Sequence, residues 1–387
     1  RRMLTCRSSH MPSWCKIGGN RLGIPFDPML EEAPAFAAWE EIPIDTPRLE
    51  GEFDHWLSRG VSAVTSFDRL GALRALRERA TRSPLPLRVQ HSIPIEELRA
   101  HADPTQLRDE LELPDGGRLR VEWAKVFLDG TLGSMTAWMN DPYCGTGAPE
   151  GDRARGAPQF DENGIDDIVD TVARSGLAIA IHAIGDRAVE VAAEMIVALR
   201  RRRGARLDRI EHAECISDRA LRLIVDHSIP VSVQPCHLLE DWRTADRRLG
   251  EERSRSVLPL RTLQSKGVPI VLGTDAPVET DDPWVNIRAA VDRVGRGGAQ
   301  SWIPDERIGW SSAFRGLTRD AQRWNALPKG WGTLGVGSPA DLQLLDTDQS
   351  LDQVSSIEVA QPRLVLVDGE PAWGGFGPLS GATGGRP

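Results

Sequence analysis

The sequence predicts an α/β fold of the TIM-like (β/α)8 barrel type, on three observations. Short apolar, β-branched runs alternate with amphipathic segments between residues 60 and 277. Several of these runs are apolar on both faces, as strands buried in a parallel sheet are. Polar residues gather where the runs end, at the rim where barrel enzymes carry their chemistry. No run is followed by G-x-G-x-x-G or a Walker-type glycine loop, so a nucleotide-binding doubly wound sheet has no motif in its favour.

Taken in order, the strand-like runs are GVSAVTSF (60–67), LPLRVQ (85–90), VEWAKVFLDG (121–130), LAIAIHAIG (177–185), LDRIEHAE (207–214), IPVSVQP (229–235) and VPIVLGTDAP (268–277). That makes seven, where a closed barrel of this type has eight. Between them lie helix-like stretches at 69–80, 186–204 and 217–228. Asp186 and Ser217 are suited to N-caps, and Gly204 to a C-cap. After residue 330 the pattern changes: GWGTLGVGSPADLQLLD (330–346) and PRLVLVDGEPAW (362–373) are glycine-punctuated β segments without intervening amphipathic helices. They predict part of a small β-domain, and the glycine-rich end GGFGPLSGATGGRP predicts a flexible tail.

A chain of 387 residues with 40% hydrophobic side chains can bury a large core. Its 56 acidic and 47 basic residues leave a net charge of -9, which speaks against nucleic acid as a partner. The dense basic run LRRRRG (199–204) sits at a predicted helix end, where cations complement the helix dipole. Five scattered cysteines without a C-x-x-C pair read as reduced thiols of a cytoplasmic protein. No run approaches the length of a membrane span, and the first residues lack a signal peptide's apolar core.

His182 and His212 each close a strand, in AIAIHAIGD and DRIEHAE, and neutral imidazoles so placed suit a divalent metal. Either one alone is more simply a satisfied core histidine; two at equivalent positions on successive units favour a ligand role. Asp275 in VLGTDAP occupies the same place on the last run, where an unpartnered buried carboxylate would be costly. Lys125 stands between Ala124 and Val126, so its charge must be handled locally, and a neutral amine there can react with carbon dioxide to give a carbamate. Trp242 and Trp284, near strand ends, are candidates to line an apolar pocket.

The ordered set AKVFLDGTLGS (124–134), IHAIGDRAVE (181–190), RIEHAE (209–214), VSVQPCH (231–237), LGTDAPV (272–278) and GSPADLQLLD (337–346) resembles the amidohydrolase superfamily. The likeness is greatest to its branch of YtcJ-like and N-substituted formamide deformylase-like proteins, and runs from residue 8 to about 370. The resemblance implies metal ligands at Lys125 (as a carbamate or bridging group), His182, His212 and Asp275, with Asp275 also moving the catalytic proton. Around the substrate it implies His10, Asp129, His237 and Asp241. The implied cofactor is a divalent metal, zinc first, as one or two ions. The implied substrate is a small amide-type molecule whose C–N bond, in an amide, formamide or cyclic amide, is hydrolysed by metal-activated water. A homo-oligomer is compatible with these features.

The family's H-x-H motif on the first barrel strand has no counterpart, since none of the eight histidines (His10, His55, His91, His101, His182, His212, His227, His237) lies two residues from another. The fold expected is therefore a (β/α)8 TIM-like barrel lacking its first strand, plus the remnant of a small β-sandwich. Residues 1–50 are the expected connection between barrel strands one and two, and 51–326 the barrel. Residues 327–376 are the C-terminal part of the sandwich, and 377–387 a tail. An N-terminally incomplete copy of this kind is expected to be unstable and inactive in isolation. The competing expectations are a catalytically inactive truncated relative, and an ester hydrolase or deaminase on the same scaffold.

Overall fold

The structure, a computed structural model, describes residues 46–101, 107, 117–346 and 361–375. The expectations for residues 1–45, His10 among them, and for the tail 377–387 lie outside these residues. Seven parallel strands form one sheet in strict chain order: β1 (Ala63–Ser66), β2 (Arg88–Pro94), β3 (Leu119–Phe127), β4 (Ala178–Ala183), β5 (Arg209–His212), β6 (Val231–Val233) and β7 (Ile270–Leu272). Helices on the chain between them return it from the end of one strand to the start of the next, as parallel pairing demands. The result is a TIM-like α/β fold. Among the described residues, β1 and β7 are the edges of this sheet.

Each expected run contains or overlaps an observed strand, although the strands are shorter at β5, β6 and β7. The apolar character of β4 has a direct cause: every residue from Ala178 to Ala183 is buried, with helices on one side and the barrel interior on the other. The helix Asp186–Arg203 buries Ala188, Val189, Ala192, Ala193, Met195 and Ile196 and ends at Gly204 with a positive φ of 81°. Its C-terminal arginines are tied down: Arg203 bonds Asp208 at 2.6 Å, and Arg202 pairs with Asp170. Ser217 caps the helix Asp218–Asp226 by accepting from Ala220 N, as expected. Asp186 does not cap its helix. Gly185 holds that position, and the Asp186 carboxylate instead accepts from Asn140 N in a neighbouring loop. No helix among the described residues is long and apolar enough to cross a membrane.

The barrel interior is filled where the strands begin. Trp123, Ala178 and Ala180 are buried together, with Phe67, Leu207 and Ala326 packed on them. The buried Arg209 guanidinium lies 4.4 Å over the Trp123 ring and bonds Glu211 at 2.5 Å and the Trp324 carbonyl at 2.8 Å. A second apolar cluster builds the chain beyond the strand ends: Leu132, Ala137, Met139 and Tyr143 pack with Leu238, Ala245 and Leu249. Trp284 is buried against the stacked pair Trp310 and Phe314, with ring centroids 6.3 and 6.2 Å away. Arg243 lies over the Trp242 ring at 4.6 Å.

The β-segments after residue 340 form a three-stranded antiparallel sheet of β8 (Leu342–Leu345), β9 (Pro362–Val367) and β10 (Glu370–Gly374). Residues 330–341 are turns rather than strand. This sheet is fastened to β2 by the buried Arg88, which forks onto Asp341 at 2.7 and 2.9 Å and also bonds Asp368. Asp341 further accepts from Trp331 Nε1 and Asp368 N. Arg88→Ala strands the Asp341 carboxylate in a buried site, so it is expected to destabilise the fold by about 3 kcal/mol, measured as a lowered urea midpoint.

His91, fully buried on β2, sets a pH limit. Burial lowers its pKa from 6.5 to about 4, more strongly than the Asp68 carboxylate raises it. The unfolded chain takes up this proton below about 6.5 and the folded chain only near 4, so protonation favours unfolding across that window. Stability is therefore expected to fall from pH 6.5 to pH 4, and His91→Gln to lose less over the same range in parallel urea titrations.

Candidate metal centre

The strand register brings the candidate residues to one end of the sheet. Phe127 on β3 is level with His182 on β4, and Ala183 is level with His212 on β5. The His182 and His212 rings lie 4.4 Å apart between centroids, and His212 and His237 lie 5.6 Å apart. At the end of β5 the backbone enters the left-handed region at His212 (φ 72°) and Ala213 (φ 48°); Asp275 does the same (φ 55°). Such φ values are costly for residues other than glycine and are held only where neighbouring contacts enforce them. Here Ala213 N donates to Ala183 O at 3.0 Å and Leu258 N to Glu214 O at 2.7 Å.

His237 reaches the group from the 3-10 turn Pro235–His237 after β6. That turn is fixed by the buried Asn286, which accepts from Cys236 N at 3.0 Å and donates to Gly273 O at 2.7 Å, so the ends of β6 and β7 are joined. His237 Nδ1 stands 3.1 Å from Glu214 Oε1, and Nε2 stands 3.5 Å from Asp275 Oδ2. His212, Glu214 and His237 offer one donor atom each, all within 4.8 Å of one another.

Glu214 is the member that sequence reasoning missed. Its signal was present in RIEHAE, where a second carboxylate sits two residues beyond a strand-end histidine. The buried His212 Nδ1 and His237 Nε2 make no hydrogen bond. Unpartnered buried nitrogens are costly, and an imidazole–carboxylate donor set is the kind that takes a divalent metal, so these residues fit such an ion.

Lys125 is buried on β3 with its Nζ between two rings, 4.4 Å from the Phe67 centroid and 4.6 Å from that of Phe127. Burial lowers its pKa to about 8, against the pull of Glu211 and Asp275. Burial, helped by the Lys125 charge, lowers His182 to about 3, and burial with the neighbouring cations keeps His212 well below its usual value. His237 behaves oppositely: burial opposes its charge, but the Asp275 and Glu214 carboxylates outweigh it and raise its pKa. Burial thus favours the neutral form of His182 and His212, while the Asp275 and Glu214 carboxylates favour the protonated form of His237, a proton that an ion bound there would replace.

Asp129 and Asp241 differ in their surroundings. Asp129 accepts from the backbone N–H groups of Trp138 and Gly185, each at 2.8 Å, and of Ile184 at 3.1 Å. Burial pushes its pKa up to about 7 in spite of those donors. Its oxygens are taken up in locking the chain after β3 to the end of β4. A side chain at Gly185 would meet the Trp138 carbonyl oxygen at 2.1 Å, which explains the glycine. His182 Nε2 lies 3.2 Å from Gly130 O and 3.5 Å from Asp129 Oδ1. A donor bond to that carbonyl puts the proton on Nε2 and leaves Nδ1 with its lone pair. Asp241, in the first turn of the helix Leu238–Ser254, is half-buried; burial, then the Glu214 charge, pushes its pKa up to about 7. It faces the same charged group as His237.

The profile of the amidohydrolase family matches residues 51–372. The chain is 32% identical to the Protein LONG AFTER FAR-RED 3 of Arabidopsis thaliana over 67% of its length and 45% of that protein's. It is 25% identical to the putative amidohydrolase YtcJ of Bacillus subtilis, over 70% of this chain and 51% of the other. The chain spans about half the length of these relatives. Among solved structures, an uncharacterized metal-dependent hydrolase from Pyrococcus furiosus superposes with a TM-score of 0.64 at 31% identity, covering 76% of this chain and 58% of that one. With a barrel of this topology, strand-end histidines in this order and a family match across most of its length, the chain belongs to the amidohydrolase family.

Proposed function

We propose that the protein is a metal-dependent hydrolase of a carbon–nitrogen bond other than a peptide bond, acting on a small amide, formamide or cyclic amide in the cytoplasm. The observation that carries this is the convergence of Lys125, His182, His212, Glu214, His237 and Asp275 on one end of the parallel sheet, with His212, Glu214 and His237 close enough to share an ion. Zinc is the metal we assign, as one or two ions, because imidazole and carboxylate donors suit it. When bound, such an ion acts as a Lewis acid on the substrate carbonyl and makes a water more acidic.

The chain's own residues do the rest. His182 and His212 present free-base nitrogens, which burial keeps unprotonated. With its pKa near 8, Lys125 has a share of neutral amine at neutral pH, the form that adds carbon dioxide to become a carbamate oxygen donor. Asp275 is the proton carrier: its carboxylate takes the proton of the attacking water and delivers it to the departing nitrogen. His237, 3.1 Å from Glu214 and 3.5 Å from Asp275, would hold the ion beside the carboxylate that moves the proton. Asp241 and His237 border the substrate. The strands β8–β10 are the C-terminal part of a small β-sandwich.

Metal analysis after exhaustive dialysis, with a screen of amides and formamides, tests this function. Zinc retained near stoichiometry together with turnover supports it, and a chain that retains no metal sinks it. His212→Ala and His237→Ala are each expected to lose retained zinc in the same analysis. Asp275→Asn is expected to keep zinc while turnover drops by roughly 10²–10⁴-fold, and activity within tenfold of the parent would remove Asp275 from its role.

A further inference from the structure

We infer that Phe127 is a specificity-determining residue, the apolar wall on which a flat or branched apolar group beside the scissile bond packs. This rests on the metal-dependent hydrolase function proposed above. Trp123, Lys125 and Phe127 alternate on β3 and so share the inward face. Trp123 is fully buried and Lys125 nearly so, but Phe127, last in the row, is 47% exposed. Left this open beside the buried Lys125 and His182, the ring offers apolar surface to a ligand at the mouth.

Its position is set by two candidate ligands. The ring centroid is 5.1 Å from that of His182, tilted 39° to it, and 4.6 Å from Lys125 Nζ. A molecule bound beside those two side chains would therefore meet the ring. Around that point His212, His237, Glu214 and Asp275 are polar or charged, and Phe67, on Lys125 as well, is packed against the Trp123 cluster, so Phe127 is the more open apolar face. It is also held firmly. Phe127 pairs in register with His182, Leu128 N donates to His182 O at 3.0 Å, and Asp129 locks the following turn through its bonds to Trp138, Ile184 and Gly185. A ring so fixed discriminates between substituents instead of moving aside.

Acetohydroxamate and benzohydroxamate share one metal-binding head and differ by methyl against phenyl, so the ratio of their affinities for the zinc-loaded protein reads this wall. Calorimetric titration is expected to give roughly a tenfold preference for the phenyl probe. The ratio should fall to near one in Phe127→Ala and to an intermediate value in Phe127→Leu, with zinc content equal to the parent's. If Phe127→Ala loses zinc or fails to fold, Phe127→Leu decides: a ratio below half the parent's supports the inference, and an unchanged ratio overturns it. Zinc-dependent binding with a ratio indifferent to Phe127 overturns this inference alone. Hydroxamate binding that does not depend on zinc overturns the metal centre as well.

Discussion

The parallel register of β3, β4 and β5 is the constraint on which the site depends. Extended strands must satisfy their backbone N–H and C=O groups, and parallel pairing in chain order leaves the C-terminal ends of neighbours almost level. Pairing Phe127 with His182, and Ala183 with His212, sets side by side residues that are 55 and 29 positions apart in sequence. The left-handed turns at His212 and Ala213 then carry the chain over the mouth and bring Glu214 to His237. A slip of one residue in any of these pairs would turn an imidazole out of the barrel, because the side-chain repeat of a strand is two.

Burial at that mouth sorts the charges. Low polarity favours the neutral forms of His182 and His212, while two carboxylates raise the pKa of His237 against the pull of burial. One layer down, Arg209 and Glu211 neutralise each other between Trp123 and the Trp324 carbonyl, beneath Lys125. The acidic and basic groups are thus interleaved, which is how a small volume can hold so many ionisable side chains. The surrounding loops have a separate apolar cluster around Leu132, Tyr143 and Leu249, so the walls of the mouth are packed structure and not loose connections.

Much of the fold was legible because hydrophobic runs and their spacing are local properties. The run LAIAIHAIGD carried its strand, its terminal histidine and its return helix within ten residues, and all three stand in the structure. Legibility failed where a residue's partner is distant in sequence. Asp186 looks like an N-cap, but Asn140 N claims its carboxylate. Trp284 looks like a pocket wall, but it is buried against the stacked rings of Trp310 and Phe314. That Asp129 accepts from three backbone amides, of Trp138, Ile184 and Gly185, has no sign in its own segment. Glu214 passed unnoticed because its place two residues beyond His212 gains meaning only from His237, 23 residues further on.

By itself the sequence determined the alternation of strands and helices, the ends at which polar chemistry gathers, and the family, since each follows from residue type and spacing along the chain. Only the tertiary structure decided which of those polar residues share a volume, which accept from the backbone, and in which direction each histidine's pKa is pushed. The reason is that burial and electrostatic environment are set by neighbours in space, and those neighbours come from strands and loops far apart in sequence.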